Sequence, residues 1–503
     1  MTIRKLCALL TAILLPIFSK AQVLPVEGGN LNYRLIGFSV PKIDGAIKYS
    51  FEIATGNCNT EKPFRKNIVH TIVQDSSKLI TVVPYFGKSY TWRVVYKNKN
   101  KIVDKTPFYH FSTLSCPDVD TALLRLRVVE SAKKYQDAYV FLDDNKALYD
   151  MTGQPVWFMT KVNGIPIIPR DLKMTRHGSI TFLFDPPYEI DYNCNVLFKA
   201  PATGMVSKDY SEHFHHQFTR LDNGHYMALG EDSVSWGGNG AIAQADTSAR
   251  KMQFGTLIEY DEQGNVVWSW RSDKYFTASD IRCLLSPNSK KYADVHENAF
   301  YFDDKTNYIY VSFRNIDRIV KIKYPEGTVS AAYGMPDTLS RVAANRNLFC
   351  GQHACKHSDH GYIYLFDNNS CAINGLPKVE KLTEPADTNA GLKVIWEYQC
   401  TIDGVDPNAV QGYNFISGGN VLEMPDGSLF VCMSGGSYCK TFIVNPDKKI
   451  LWSAIPERWD PTTKKWGIVS EYRANIVYKK DYLERLIWNG EMHALQAKSA
   501  DGK

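Results

Sequence analysis

The sequence has no surplus of charge of either sign. Its 503 residues carry 58 Lys and Arg against 53 Asp and Glu, so it lacks the concentrated basic face of a nucleic-acid binder. Outside the first two dozen residues it has no long apolar stretch, and none of the 18 or more residues that a membrane-spanning helix needs. There is no glycine-rich loop of the nucleotide-binding kind. Neither the Cys nor the His spacing matches a standard zinc pattern, so no metal and no cofactor is expected. At 22% charged and 44% hydrophobic residues, the chain is too apolar for disorder and can build a large core.

The chain is rich in aromatics, which make up 13% of it and favour strands over helices. Residues 1–21 read as a secretory signal: Arg4 and Lys5 precede the apolar stretch Leu6 to Phe18, and Ser19-Lys20-Ala21 supplies a small-residue exit. Cleavage removes three of the basic residues and leaves a charge of about +2, too small for long-range steering. The expected product is a soluble periplasmic or secreted protein. Of 11 cysteines, ten follow Cys7, an even number compatible with disulfides in an oxidising compartment. Cys350 with Cys355, and Cys432 with Cys439, are the closest pairs; each could be a short bridge or two buried thiols.

Residues 22–115 read as a small β-sandwich of short alternating strands, including Tyr49–Ile53, Leu79–Val83, Ser89–Tyr96 and Tyr109–Thr113. The Tyr90-Thr-Trp92-Arg-Val94 strand and the closing Phe111-Ser-Thr113 resemble the fibronectin type III class, which implies a spacer or docking module. From 116 to 503 the chain repeats itself. A turn rich in Asp, Asn and Gly leads into an apolar strand, as in Leu221–Leu229 and Met424–Val431. A second turn then leads into a strand ending in an aromatic residue, as in Asp261–Trp268 and Asn445–Trp452. Pairing these elements gives six units, roughly 138–159, 174–200, 216–270, 296–334, 353–399 and 418–454. The fold class expected is all-β, a six-bladed β-propeller after the sandwich; a two-sheet sandwich array is the alternative.

Three units place a histidine at the start of their first strand. His216 lies eight residues before Gly224 and His353 eight before Gly361, so both are read as one position of the repeat; His296 precedes Asn298–Phe302 in the same place. First strands line the axis of a propeller, so three imidazoles should converge on one pocket. Core positions of a repeat favour apolar residues, which argues against three coincidental core histidines. His215 should point to the opposite face of its strand from His216. Arg314, after the strand Tyr308–Phe313, could return beside His296 with a permanent charge and a fork of donors suited to an oxyanion.

These residues resemble a family, the bacterial arylsulfotransferases that use an aryl sulfate donor in place of a nucleotide donor. The resembling segments are His215–Gly224, Asp294–Asn298, Val311–Arg314, Gln352-His-Ala354 with Leu365–Asn368, and Gly419–Val421. The resemblance implies a six-bladed propeller in which His353 is transiently sulfated while His216, His296 and Arg314 hold the sulfuryl oxygens; His215 and Asn298 are expected to contact substrate. The chain departs from the family's small disulfide loop upstream of the nucleophile, since Cys350 and Cys355 bracket His353, with His357 and His360 close behind. The implied function is an aryl-sulfate sulfotransferase that moves a sulfuryl group from a phenolic sulfate to a phenol through a sulfohistidine. The implied partners are those two small molecules, with no nucleic acid and no membrane span, and a homo-oligomer is compatible. The alternatives are a non-catalytic propeller binding an anionic glycan or a protein, and a sulfatase-like hydrolase.

Overall fold

The computed structural model describes residues 23–115, 123–208, 211–236, 250–277, 280, 281, 284, 293–334, 348–370, 375–384, 392–402, 415, 417–478 and 482–501. The expected signal segment, residues 1–21, lies outside the described residues. The structure is nearly all β and divides into two compact units, one of Met1–Asn30, Ile36–Pro84 and Lys88–Ser112, the other of Leu31–Leu35, Tyr85–Gly87 and Thr113–Lys503. No described helix is long and apolar enough to cross a membrane.

In the first unit, Lys48–Thr55 pairs antiparallel with Ser89–Asn98, which also pairs with Tyr109–Thr113. A smaller sheet joins Leu35–Ser39 to Lys78–Val82. Phe38, on the small sheet, meets Trp92, on the large one, edge to face at 5.1 Å, and both are fully buried. Aromatic pairs of this geometry contribute beyond the area they bury.

Among its described residues the second unit contains six sheets, each with a core of four antiparallel strands. The first has Ala138–Leu142, Ala147–Asp150 and Pro155–Phe158, with a fourth strand, Ala474–Tyr478, supplied from the far end of the chain. The second runs from Arg170–Met174 to Val196–Lys199, and the third from His213–Arg220 to Val266–Arg271. The fourth runs from Glu297–Asp303 to Thr328–Gly334, the fifth from His353–His357 to Lys393–Gln399, and the sixth from Asn420–Glu423 to Ile450–Asp460. The returning strand is not legible in the repeat, because no turn of the repeating kind precedes it. Ala474–Tyr478 lies beside the first strand of the second sheet, each of the next first strands beside its successor, and that of the sixth beside Ala474–Tyr478.

Two sequence features hold the sheets in this order. At the last hairpin of several sheets an Asp carboxylate accepts backbone N–H groups two and four residues on, as Asp261 does from Gln263 and Asn265. Asp150 and Asp191 do the same in the first and second sheets. Such Asx turns satisfy backbone donors locally. The terminal aromatic of the repeat then reaches the neighbouring sheet. Trp157 Nε1 donates to the carbonyl of Tyr192, Trp268 to that of Pro325, Trp396 to that of Pro446, and Trp452 to that of Met151, at 2.7–3.0 Å. These link the first sheet to the second, the third to the fourth, the fifth to the sixth, and the sixth back to the first.

Of the cysteine pairs, Cys350 is disulfide-bonded and Cys355 is a free thiol, so no bridge spans His353. Cys355 is packed in a core cluster with Ile319, Ile363 and Leu365. Cys432 and Cys439 are both free and buried.

Candidate active site

The first strands of the sheets are not regular at their entry ends. His216, His296 and Ala354 have φ of +59°, +56° and +52°, as does Asp171 of the second sheet at +56°. A non-glycine residue in the left-handed region costs on the order of 1 kcal/mol and marks a position held by its surroundings. The pairing shows why: Phe214 and Phe218 face Gly230 and Ala228, and His353 and Lys356 face Phe366 and Tyr364, so extra residues bulge out of the first strand.

The bulges also correct the count made on sequence. His216 and His353 do not share one backbone position, because the third sheet's bulge holds one residue more. His216 and His296 are the left-handed residues, whereas His353 precedes its left-handed neighbour Ala354. The rings converge nonetheless. The His216 centroid lies 4.8 Å from that of His296 and 6.4 Å from that of His353.

His353 is 1% exposed, and its tautomer is set by Asn368. The Asn368 amide nitrogen donates to the carbonyls of Phe415 and Gly418, so its Oδ1 faces His353 Nδ1 at 2.6 Å and must accept. That fixes the proton on Nδ1 and leaves Nε2 with a free lone pair. Gly418 and Gly419, at φ of +72° and +93°, bring the sixth sheet to this amide; a Cβ on Gly419 would lie 2.3 Å from the Phe366 ring. Burial, then the charge of Arg314, hold the His353 imidazole well below its usual pKa.

The other two histidines form a chain. Asp294 accepts from the His296 backbone N–H at 2.6 Å and faces His296 Nδ1 at 2.7 Å. His296 Nε2 lies 3.1 Å from His216 Nε2, and His216 Nδ1 meets the Tyr472 hydroxyl. Burial, then the neighbouring His215, His296 and His353, depress His216 well below the ordinary histidine value. The chain Asp294–His296–His216–Tyr472 can therefore pass a proton by switching donors and acceptors. Arg314 opens a short turn after Tyr308–Phe313, and its backbone N–H donates to the His296 carbonyl at 2.9 Å, which places it beside the histidines.

His215 and Asn298 serve other partners. His215 Nε2 pairs with the buried Glu297 carboxylate at 2.9 Å. Burial alone would lower its pKa, but Glu297 and the acids Glu231 and Asp294 raise it. Asn298 is fully buried; its amide donates to the Gln352 carbonyl at 2.7 Å, and its own carbonyl accepts from Arg473 at 2.7 Å. Its amide nitrogen thus fixes the backbone leading into His353, while its Oδ1 is buried with no hydrogen-bond partner among the described residues. His357 leaves the site, facing Asp303 and Glu384 at 3.2 and 3.6 Å.

A profile of the arylsulfotransferase (ASST) family matches residues 124–394, more than half of the chain. The chain belongs to the arylsulfotransferase family. The matched span holds His216, His296, Arg314, His353 and Asn368, whereas Tyr472 and Arg473 lie beyond it. Membership supports an aryl sulfotransferase-type function in general, with small aryl compounds as substrates. No curated protein matches the sequence. Among solved structures, a protein of unknown function from Bacteroides caccae is 11% identical, with 68% of this chain and 98% of that one covered and a TM-score of 0.39. A quinonprotein alcohol dehydrogenase-like protein from Bacteroides thetaiotaomicron is 12% identical, covering 92% and 99%, with a TM-score of 0.35. Apo AztD from Citrobacter koseri is 9% identical, covering 86% and 98%, with a TM-score of 0.31.

Tyr472, Asp294, Asn368 and Arg473 are not singled out by the sequence. Asp294 and Asn368 stand inside the motifs quoted for the family resemblance, so their signal is present. Tyr472 and Arg473 precede the returning strand, where no motif marks them. Asn368→Ala should lower His353-dependent transfer by two to four orders of magnitude, the range seen when a group that fixes a catalytic tautomer is lost. Single-turnover phenol release measures this; a rate within threefold of the parent would show that Asn368 does not set the tautomer.

Proposed function

We propose that this chain is an aryl-sulfate sulfotransferase working through a sulfohistidine on His353. The observation that carries the reading is the Asn368 contact, which presents a neutral imidazole with its Nε2 lone pair free beside Arg314, His296 and His216. A neutral imidazole is a competent nucleophile, and in-line transfer of a charged group needs chiefly positioning and donors on its equatorial oxygens.

In the first half-reaction Nε2 of His353 bonds to sulfur as the ester S–O bond breaks. The electron pair leaves on the phenolate, which departs as the anion and is protonated by water. The sulfated ring keeps its Nδ1 proton and becomes cationic, with the neutral Asn368 oxygen as its acceptor. A neutral acceptor stabilises that cation less than a carboxylate would, so the sulfuryl group stays transferable. In the second half-reaction an acceptor phenol gives its proton to the neutral His216–His296 chain, and its oxygen bonds to sulfur as the Nε2–S bond breaks and returns its electron pair to the His353 ring; the chain then releases the proton to water. Arg314 binds the sulfuryl oxygens in both, and His296 and His216 join it as the contact between their Nε2 atoms opens.

The same proposal takes the six sheets as the blades of one closed propeller, on the strength of the cyclic order of first strands and the Trp452–Met151 link. Residues 22–115 are taken as a fibronectin type III-like module, and residues 1–21 as a signal that sends the protein to the periplasm. Turnover of a chromogenic aryl sulfate with and without added phenol tests the activity. Release that needs the phenol supports transfer, phenol-independent steady release points to hydrolysis, and no release supports binding alone.

The pKa of His353 sets a pH profile. Its folded value lies well below 6.5, pressed down by burial and by Arg314, Arg473 and His296, while Asn368 opposes. The active form is the neutral one, so it is present above the folded pKa and lost only as pH falls through it. The phenol burst should stay level from about pH 8 down through 6.5; a burst that halves near 6.5 would mean that an ordinary, solvated histidine reacts.

A further inference from the structure

Beyond the bulges, the first strands of the second to fifth sheets surround a cavity of about 200 Å³. Its cations are Lys173, Arg176, Arg220 and Lys356, and its carboxylates are Asp222 and Asp304. Three of the cations already have partners. Lys173 is bonded to Asp171 and Arg176 to Asp222, while Arg220 meets Glu189 and Glu262 at 2.9 and 3.0 Å. Lys356 has no hydrogen-bond or ion-pair partner of its side chain among the described residues, and it lines the cavity. Gln217 is closed off, since its amide group bonds both ways to the backbone of Phe300. The cavity therefore offers one ammonium with no ion-pair partner among the described residues, while its other three cations are compensated by Asp171, Asp222, Glu189 and Glu262.

Lys356 is only partly exposed, and an ammonium in such a setting without a counter-charge loses hydration that nothing replaces. The cost shows in its titration: burial, then the charge of Lys173, push Lys356 down to about 7, with Arg473 adding to this and Asp171 and Cys355 opposing it. A bound anion would relieve both the desolvation and the lysine–lysine repulsion.

We propose that this cavity is a second site, which takes a small oxyanion between Lys356 and Lys173. None of the groups placed around the sulfuryl oxygens lines it, so the proposal stands or falls independently of the sulfohistidine mechanism. The class of ligand is a sulfate or carboxylate group small enough for the cavity.

The test uses the full chain, carbamoylated by cyanate near pH 7 and read lysine by lysine by peptide mass spectrometry. The neutral amine of Lys356 adds to the carbon of cyanic acid to form a urea, with no leaving group. Inorganic sulfate should slow this reaction saturably, by about tenfold or more, by holding the ammonium form, while the exposed Lys133 is unaffected. Acetate as a second probe shows whether a carboxylate serves as well. Protection should persist in His353→Asn and fall by about tenfold in apparent affinity in Lys173→Met. Lys356 labelling that sulfate and acetate both leave unchanged overturns the proposal, and so does protection that vanishes in His353→Asn, which would place the anion at the histidines. The measurement on the unmodified sequence decides even if Lys173→Met does not fold.

Discussion

His353→Asn is expected to abolish both the burst of phenol and any covalent adduct, lowering sulfuryl transfer by about four orders of magnitude or more, as loss of a covalent nucleophile does elsewhere. Only one group can form the bond to sulfur. His296 also has its Nδ1 on a fixed acceptor, Asp294, but its Nε2 is taken up by His216, whereas His353 has Nδ1 on Asn368 and no hydrogen bond to Nε2 among the described residues. The side chain of asparagine is shorter and polar, so it can still donate toward Asn368 while offering no nucleophile. His296→Asn gives the contrast. It breaks the contacts to Asp294 and His216 and should slow adduct formation while leaving the adduct on His353. Rapid-mixing kinetics with a chromogenic aryl sulfate separates the two variants, and an undiminished burst in His353→Asn would remove it from the chemistry.

Arg314→Lys should cost about 10²–10³ in the transfer step, or roughly 2.7–4 kcal/mol, the range for losing a preorganised donor to developing charge. A lysine keeps the charge but replaces the planar fork with a point charge that cannot hold two sulfuryl oxygens together. Arg314 also presses on the titration of His353, as the second-largest cause after burial, and lysine retains that effect. The pH profile should therefore stay as in the parent while the rate falls. Equal rates in the two proteins would take Arg314 away from the sulfuryl group.

Much of the architecture can be read from the sequence because its signals are local. The Asp- and Gly-bearing turns and terminal tryptophans of the repeat mark the strands of five sheets within a few residues, and the tryptophans prove to be the links between neighbours. Long-range pairing leaves no such mark. Ala474–Tyr478 pairs with Ala138–Leu142 across more than 300 residues, so nothing near either strand announces the other. Tyr472 and Arg473 enter the site with it.

At the site, the identity of the histidines is legible and their registration is not. Alternation assigns His215 and His216 to opposite faces, but His216 sits at φ +59° in a bulge. The two rings instead lie 5.0 Å apart, and both reach the fourth sheet, one at Glu297 and one at His296. Asn298 is expected from the sequence to contact substrate; its amide nitrogen is committed to the backbone of Gln352, and its Oδ1 has no partner among the described residues. A sequence shows which residues are present, while the bulge decides which way each one faces.

The most direct measurement is site-resolved mass spectrometry after brief exposure of the full protein to an aryl sulfate, with no acceptor present. The expected result is one added SO₃ group per chain, on the peptide containing Gln352-His-Ala354 and on His353 itself, discharged when a phenol is added. An adduct on His216 or His296, or phenol release with no adduct on any histidine, would contradict a sulfohistidine at His353.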